Sequence, residues 1–274
     1  MYLRPRTLDE AVEALGLHGG RVLSGGTDVF PSLGEGPLTG TVVDLSAIRE
    51  LAGIEATPDG VRIGARTTWS AIDRADLPRA FDALRQAARE VGAVQIQNAG
   101  TIAGNLCTAS PAADGVPPLL VLDASVELAS RTGRRVLPVA EFVVAYRRTR
   151  LEPDEVVSAV LVPPQPEARA RFLKLGTRHS LVISIAMVAA LVAVEGGVVA
   201  EARVAVGACS PVARRLAGLE AALRGLPARP GLGLAAEAGH LAGLEPIDDV
   251  RASAAYRRDA ALILVRRALE ACVA

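Results

Sequence analysis

Two short segments carry the residue types that could hold an anionic ligand. Ser24-Gly25-Gly26-Thr27-Asp28 directly follows a short apolar run, and Thr101-Ile102-Ala103-Gly104-Asn105 lies further along the chain. A glycine pair lets the backbone turn sharply and approach a ligand closely. Consecutive backbone N–H groups can then converge on an anion such as a pyrophosphate. The Thr27 hydroxyl adds a donor to the first segment. In the second, Thr101, Gly104 and Asn105 offer a hydroxyl, an unobstructed backbone and a side-chain amide. Taken singly, each segment also reads as an ordinary tight turn.

Ser110-Pro111-Ala112-Ala113-Asp114 follows the second segment closely. A carboxylate in an apolar, proline-bounded stretch is costly to bury unpaired. Asp114 therefore needs donors, and sugar hydroxyls would serve; a helix N-cap or Asx turn is the other use of such a residue. His18, His179 and His240 are scattered, and no nearby serine and acid complete a hydrolytic triad. Cys107, Cys209 and Cys272 are far apart and odd in number. They have no metal-ligand spacing and suggest no disulfide framework, which fits a reducing cytoplasm.

The surrounding chain must position these residues. Of 274 residues 50% are hydrophobic, enough for a packed core. Net charge is zero and only 3% of residues are aromatic, which argues against a nucleic-acid footprint or a base-stacking platform. The N-terminus lacks the apolar core of a signal peptide. The longest apolar run, Leu181 to Val194, is broken by Ser184 and falls short of the roughly 20 residues a membrane helix needs, so it reads as a buried strand or helix in a soluble protein.

Thr7 and Glu10 form a capping-box pattern before a helix over 8–17. Short strands at 21–23 and 42–44 complete a small β-α-β unit that delivers the first glycine segment. Hairpins are expected over 53–65 and 126–137, a helix over 77–91 and a strand over 155–162. The stretch 95–118, small and polar yet weakly charged, reads as backbone wrapped around a ligand. Three prolines between 163 and 169 mark a domain boundary. Beyond it come strands at 171–175 and 203–206 and two Ala/Leu-rich helices, the last over 252–271. The class is α+β.

The stretch from Gln95 to Asp114, read together with the upstream Ser-Gly-Gly-Thr-Asp, closely resembles the signature of the FAD-binding (medium) subunits of the molybdenum hydroxylases, the xanthine dehydrogenase and carbon monoxide dehydrogenase type. The likeness covers nearly the whole chain. It implies a two-lobed FAD-binding domain of the flavin oxidase type over 1–163, with lobes of about 1–52 and 53–163, and a small α+β domain over 168–274. By position, Val22, Leu23, Ser24, Gly25, Gly26, Thr27, Asp28 and Val29 would form the first FAD-binding segment and Thr101, Ile102, Ala103, Gly104 and Asn105 the second, together clamping the pyrophosphate. Asp114 would meet the cofactor's sugar or ribityl hydroxyls. Val157 would pack near the cofactor. Lys174 would lie near the flavin ring, where a cation favours the reduced, negatively charged form. The resemblance implies no catalytic acid or base and no metal ligand in this chain.

Three departures stand out. Gln97 occupies a position where the family often has arginine, Ala103 replaces the first glycine of a Gly-Gly pair, and no aspartate follows Lys174 in Arg178-His179-Ser180-Leu181. Related covalent flavoproteins often carry a histidine in the first glycine loop; Thr27 follows Gly26 here, so non-covalent FAD is expected. The implied partners are a molybdopterin-binding large subunit and a 2Fe-2S small subunit, arranged as a dimer of heterotrimers. Electrons would pass from the iron–sulfur clusters through FAD to an external acceptor. A stand-alone flavin oxidoreductase and an assembly subunit that has lost FAD are the alternatives, and flavin content separates the latter from the rest.

Overall fold

The structure, a computed structural model, describes residues 1–274. It opens with β1 (Tyr2–Leu3), α1 (Leu8–His18), β2 (Arg21–Leu23), the single turn α2 (Val29–Ser32) and β3 (Val42–Asp44). The three strands form a parallel sheet in the order β1-β3-β2. Thr7 caps α1 by accepting from the Glu10 N–H at 3.2 Å. The Glu10 carboxylate reaches back to the Arg6 N–H, one residue earlier than a capping box requires. Leu8, Ala11, Val12 and Leu15 recur at helical spacing and bury α1 against Val43 and Leu45.

A second layer is built from the hairpin β4 (Ile54–Thr57) and β5 (Gly60–Gly64), then α3 (Trp69–Arg74), α4 (Asp82–Glu90), α5 (Val94–Ala99), α6 (Ile102–Thr108) and α7 (Val116–Val121). It continues with β6 (Ser125–Ser130), β7 (Gly133–Pro138), α8 (Val139–Phe142), the small hairpin β8 (Val143–Ala145) and β9 (Arg148–Thr149), and β10 (Val156–Val162). Its sheet is antiparallel in the order β4-β5-β10-β6-β7.

Two expectations are corrected here. The helix expected over 77–91 begins only at Asp82, after a 3-10 turn at Arg79–Phe81. Pro78 holds its backbone extended at ψ 156° and disfavours helix at Leu77. The stretch 95–118 is not one continuous loop but falls in α5, α6 and the start of α7, with irregular backbone over 109–115. Part of its low charge reflects burial: Ile102, Ala103 and Leu106 of α6 and every residue of α7 are in the interior. Pro117 and Pro118 sit in the first turn of α7, where a missing N–H costs no helix hydrogen bond.

The third layer is the antiparallel sheet β11 (Ala168–Leu175), β12 (Ala186–Glu195), β13 (Val198–Gly207) and β14 (Arg214–Arg215), covered by α9 (Ala217–Leu223) and α10 (Ala254–Val273). The apolar run over 186–193 is a strand buried on both faces. Met187, Ala189, Leu191 and Ala193 enter the core of the second layer, while Ala186, Val188, Ala190 and Val192 pack under the α10 side. Helix α10 starts at Ala254, two residues later than its composition suggests, because the Ser253 hydroxyl caps it by accepting from the Tyr256 N–H.

The second and third layers thus share one core. They are also joined through α7. Beside its N-terminal end, Asp114 accepts from Lys174 of β11 and from Ser184. At its C-terminal end, Arg215 donates to the Leu120 carbonyl at 3.0 Å and Arg203 to the Val121 carbonyl at 3.1 Å. Both arginines also pair with Asp123. No helix is long and apolar enough to cross a membrane.

Candidate functional site

The two glycine-bearing segments touch. Gly25 lies so close to the Ala99–Gly100 peptide that a Cβ there would stand 1.9 Å from the Ala99 oxygen. Gly26 adopts φ +71° beneath the Phe30 ring, a conformation that favours glycine. The Thr27 hydroxyl rests against Gly100. Strand β2, pinned to β3 by the Leu23–Asp44 register, delivers this segment to the ends of α5 and α6. Val22 is half-buried and Leu23 buried, so the strand residues anchor and the loop residues present.

The backbone of the first segment is open. The N–H groups of Gly25, Gly26, Thr27, Asp28 and Val29 donate to nothing in the chain. The Ser24 hydroxyl is buried without a partner. Asp28 pairs across the site with Arg147 at 3.3 Å, both about half exposed.

The backbone of the second segment is engaged within the chain. Thr101 is the N-cap of α6, and each following N–H is already used. Ile102 donates to Thr67 O, Ala103 to Ala65 O and Asn105 to Thr101 O, and Gly104 to the Thr101 hydroxyl. Asn105 Oδ1 accepts from the Gly115 N–H at 3.2 Å and so fixes the turn that carries Asp114. Ala103 is a helical residue with its methyl in the core, so the departure from a Gly-Gly pair is accommodated by packing. The Gln97 amide donates to the Arg89 carbonyl at 2.9 Å and ties α5 to α4. Cys107 is exposed on α6, yet desolvation by the surrounding protein pushes its thiol up to about 12.

Asp114 and Lys174, singled out separately, are brought together. Lys174 Nζ donates to Asp114 Oδ2 at 2.6 Å and to the Glu90 carbonyl at 3.3 Å. The side chains are 9% and 6% exposed, so Lys174 is no surface lysine. Burial raises the pKa of Asp114, with Lys174 and the Ser184 hydroxyl pulling it back. Asp114 therefore has two donors within the protein. Much of the Lys174 charge is offset by its partner. Val157 is buried in β10 behind α6, where it supports the site from the core.

Ser184, Arg147 and Gly100 were not singled out as site residues by the sequence. Ser184 left a signal, as the lone hydroxyl interrupting an apolar run; Arg147 left none. No cluster of His, Cys, Asp and Glu suited to a metal ion is present.

Free amides beside a glycine that admits no Cβ, with an orphaned buried hydroxyl next to them, are groups able to hold an anion such as a phosphate, here on an α+β scaffold. Residues 1–165 match the FAD-binding domain in molybdopterin dehydrogenase, and residues 171–272 the carbon monoxide dehydrogenase flavoprotein C-terminal domain. The chain is 35% identical to the nicotinate dehydrogenase FAD-subunit of Eubacterium barkeri over 67% of its own length and 65% of that relative's. It is 34% identical to the putative xanthine dehydrogenase FAD-binding subunit of Escherichia coli K12, over 77% of this chain and 74% of that one. It superposes on carbon monoxide dehydrogenase from Hydrogenophaga pseudoflava lacking the Mo-pyranopterin moiety with a TM-score of 0.92 at 30% identity, over 99% of this chain and 96% of that one. The chain belongs to the family of FAD-binding medium subunits of molybdenum hydroxylases.

Proposed function

We propose that this chain holds FAD non-covalently and relays electrons from the iron–sulfur clusters of a small subunit to an external acceptor, within a complex whose large subunit carries the molybdopterin. The observation that carries this reading is the open backbone from Gly25 to Val29, with the buried, unpartnered Ser24 hydroxyl beside it. These groups suit the FAD pyrophosphate, and the Gly25–Ala99 contact leaves room for no side chain between loop and helix. Asn105 of α6 accepts from the Gly115 N–H, next to Asp114 and its partner Lys174. The buried ion pair would orient the ribityl and ring end as a dipole rather than as a bare cation. FAD, when bound, supplies a carrier able to take and release electrons. The chain's residues bind it, orient it and exclude water from its buried end.

Relatives named as the nicotine 6-hydroxylase medium subunit of Paenarthrobacter nicotinovorans and the carbon monoxide dehydrogenase medium chain of Hydrogenophaga pseudoflava favour a three-subunit complex, here read as a dimer of heterotrimers. Three free cysteines favour a reducing cytoplasm. Purified protein, alone and with co-expressed partners, should show a flavin spectrum that survives desalting and is released by acid. Colour that stays on the precipitated protein would overturn non-covalent binding. Absence of flavin in both preparations, with FAD supplied, would overturn the reading as a whole.

A further inference from the structure

A cavity of about 490 Å³ opens where the third layer meets the turn Ser110–Ala112. Its wall includes Ser184, whose hydroxyl donates to Asp114, and Tyr146, the neighbour of the arginine that pairs with Asp28. The cavity thus adjoins both ends of the proposed FAD groove, but none of residues 24–29 or 101–105 lines it. We propose that this cavity seats the electron acceptor, and that the acceptor is a small uncharged quinone rather than a pyridine dinucleotide. The inference rests on the FAD-relay reading above.

Charge separates the two classes. The charged side chains of the wall are Glu245, Asp249, Arg251 and Arg257, which sum to zero. Asp249 accepts from Arg257 at 2.6 Å and from Arg251 at 2.9 Å. Arg257 is buried and also donates to the Ile185 and Ala208 carbonyls. Glu245 pairs with Arg214 at the exposed edge. Neither arginine of the wall is without a carboxylate. A dinucleotide brings two phosphate charges and calls for unclaimed cations.

The apolar groups point the same way. Tyr146, Ile183 and Ile247 line the cavity and each is more than half exposed, at 61%, 52% and 65%. Large apolar side chains gathered around one opening suit the face of a flat ring. One donor of the wall is free for a carbonyl oxygen. Ser110 Oγ accepts from the Ala112 N–H, and its own hydrogen is donated to no protein group. In the step this implies, the quinone takes up two electrons and two protons, its two C=O groups become C–OH, and the quinol leaves. Both electrons come from reduced FAD, which returns to its oxidised form, and the protons come from the reduced flavin and solvent.

The test uses FAD-loaded protein, alone or with its co-purified partners, reduced under anaerobic conditions and mixed with menadione or NAD⁺ in a stopped-flow spectrometer. Menadione should reoxidise the flavin with a saturable rate, and NAD⁺ much more slowly. Ile247→Glu, which places a carboxylate on the exposed rim, should raise the half-saturating menadione concentration by about tenfold with flavin content and spectrum unchanged. Reoxidation by NAD⁺ at a matching rate overturns the proposal. So does a menadione rate that rises without saturation and ignores Ile247→Glu. Loss of FAD in that variant also overturns it, since the cavity would then hold the cofactor itself. In each of these cases the wild type still carries FAD and the relay reading stands; a wild type without FAD removes both.

Discussion

The segments Ser24–Asp28 and Thr101–Asn105 are built from similar residues and behave in opposite ways. In the first, five consecutive N–H groups from Gly25 to Val29 are unclaimed. In the second, every N–H from Ile102 to Asn105 already has a partner in the chain. The first is irregular backbone held at its flanks by β2 and α2; the second is the first turn of a helix. A glycine-rich segment offers amides to a ligand only where secondary structure has not consumed them. The first segment thus has amides free for a ligand, while the second spends its own on the start of α6 and, through Asn105 and Gly115, holds the turn of the buried Asp114.

That division can be broken at several points. The largest effect is expected at the ion pair that the second segment holds in place. Lys174→Met leaves the Asp114 carboxylate buried and unpaired and should destabilise the fold by about 3–5 kcal/mol, read by urea unfolding. Adding Asp114→Asn should recover part of that loss, and no recovery would mean that Lys174 acts by packing alone. Next is Gly25→Ala, whose Cβ would strike backbone. FAD affinity should fall by about 100-fold, or about 2.7 kcal/mol. Gly104→Ala is the matched control: its Cβ would meet only the Thr101 hydroxyl, at 2.9 Å, and helix propensity favours alanine by about 0.8–1 kcal/mol. Equal losses of FAD in the two variants would end the distinction between the segments.

Smaller effects sharpen it. Ser24→Ala removes an orphaned hydroxyl, so the apo protein should keep its stability while FAD binding weakens by about 1 kcal/mol. Isothermal titration and thermal unfolding on the same preparation separate the two. Ala103→Gly, which restores a Gly-Gly pair, should cost about 1 kcal/mol of stability through helix propensity and leave FAD affinity unchanged. A gain in affinity would show that the methyl does obstruct the site.

Much of this was legible in the sequence, where the periods were clean. Thr7 and Glu10 announced α1, and the strand pattern over 53–65 the first hairpin. Residues 95–118 misled because low charge and small side chains fit a ligand loop as well as short buried helices, and each helix is too short to show a period. Asp114 was rightly seen to need donors. Its actual partners, Lys174 and Ser184, lie far along the chain, and one sequence carries no signal for such pairing. The cavity walls come from segments as distant as Ser110 and Arg257, which only the packing of the third layer brings together.

Helix α7, held at both ends by residues of the third layer, has a consequence for how the protein is made. The carboxylate and carbonyls of that helix leave the ribosome well before Lys174, Ser184, Arg203 and Arg215, which complete them. At about 5–20 residues per second, the nascent FAD-binding region waits several seconds with these groups unmet. A chain stalled before β14 would display its glycine loop while the Leu120 carbonyl and Asp123 still lacked Arg215.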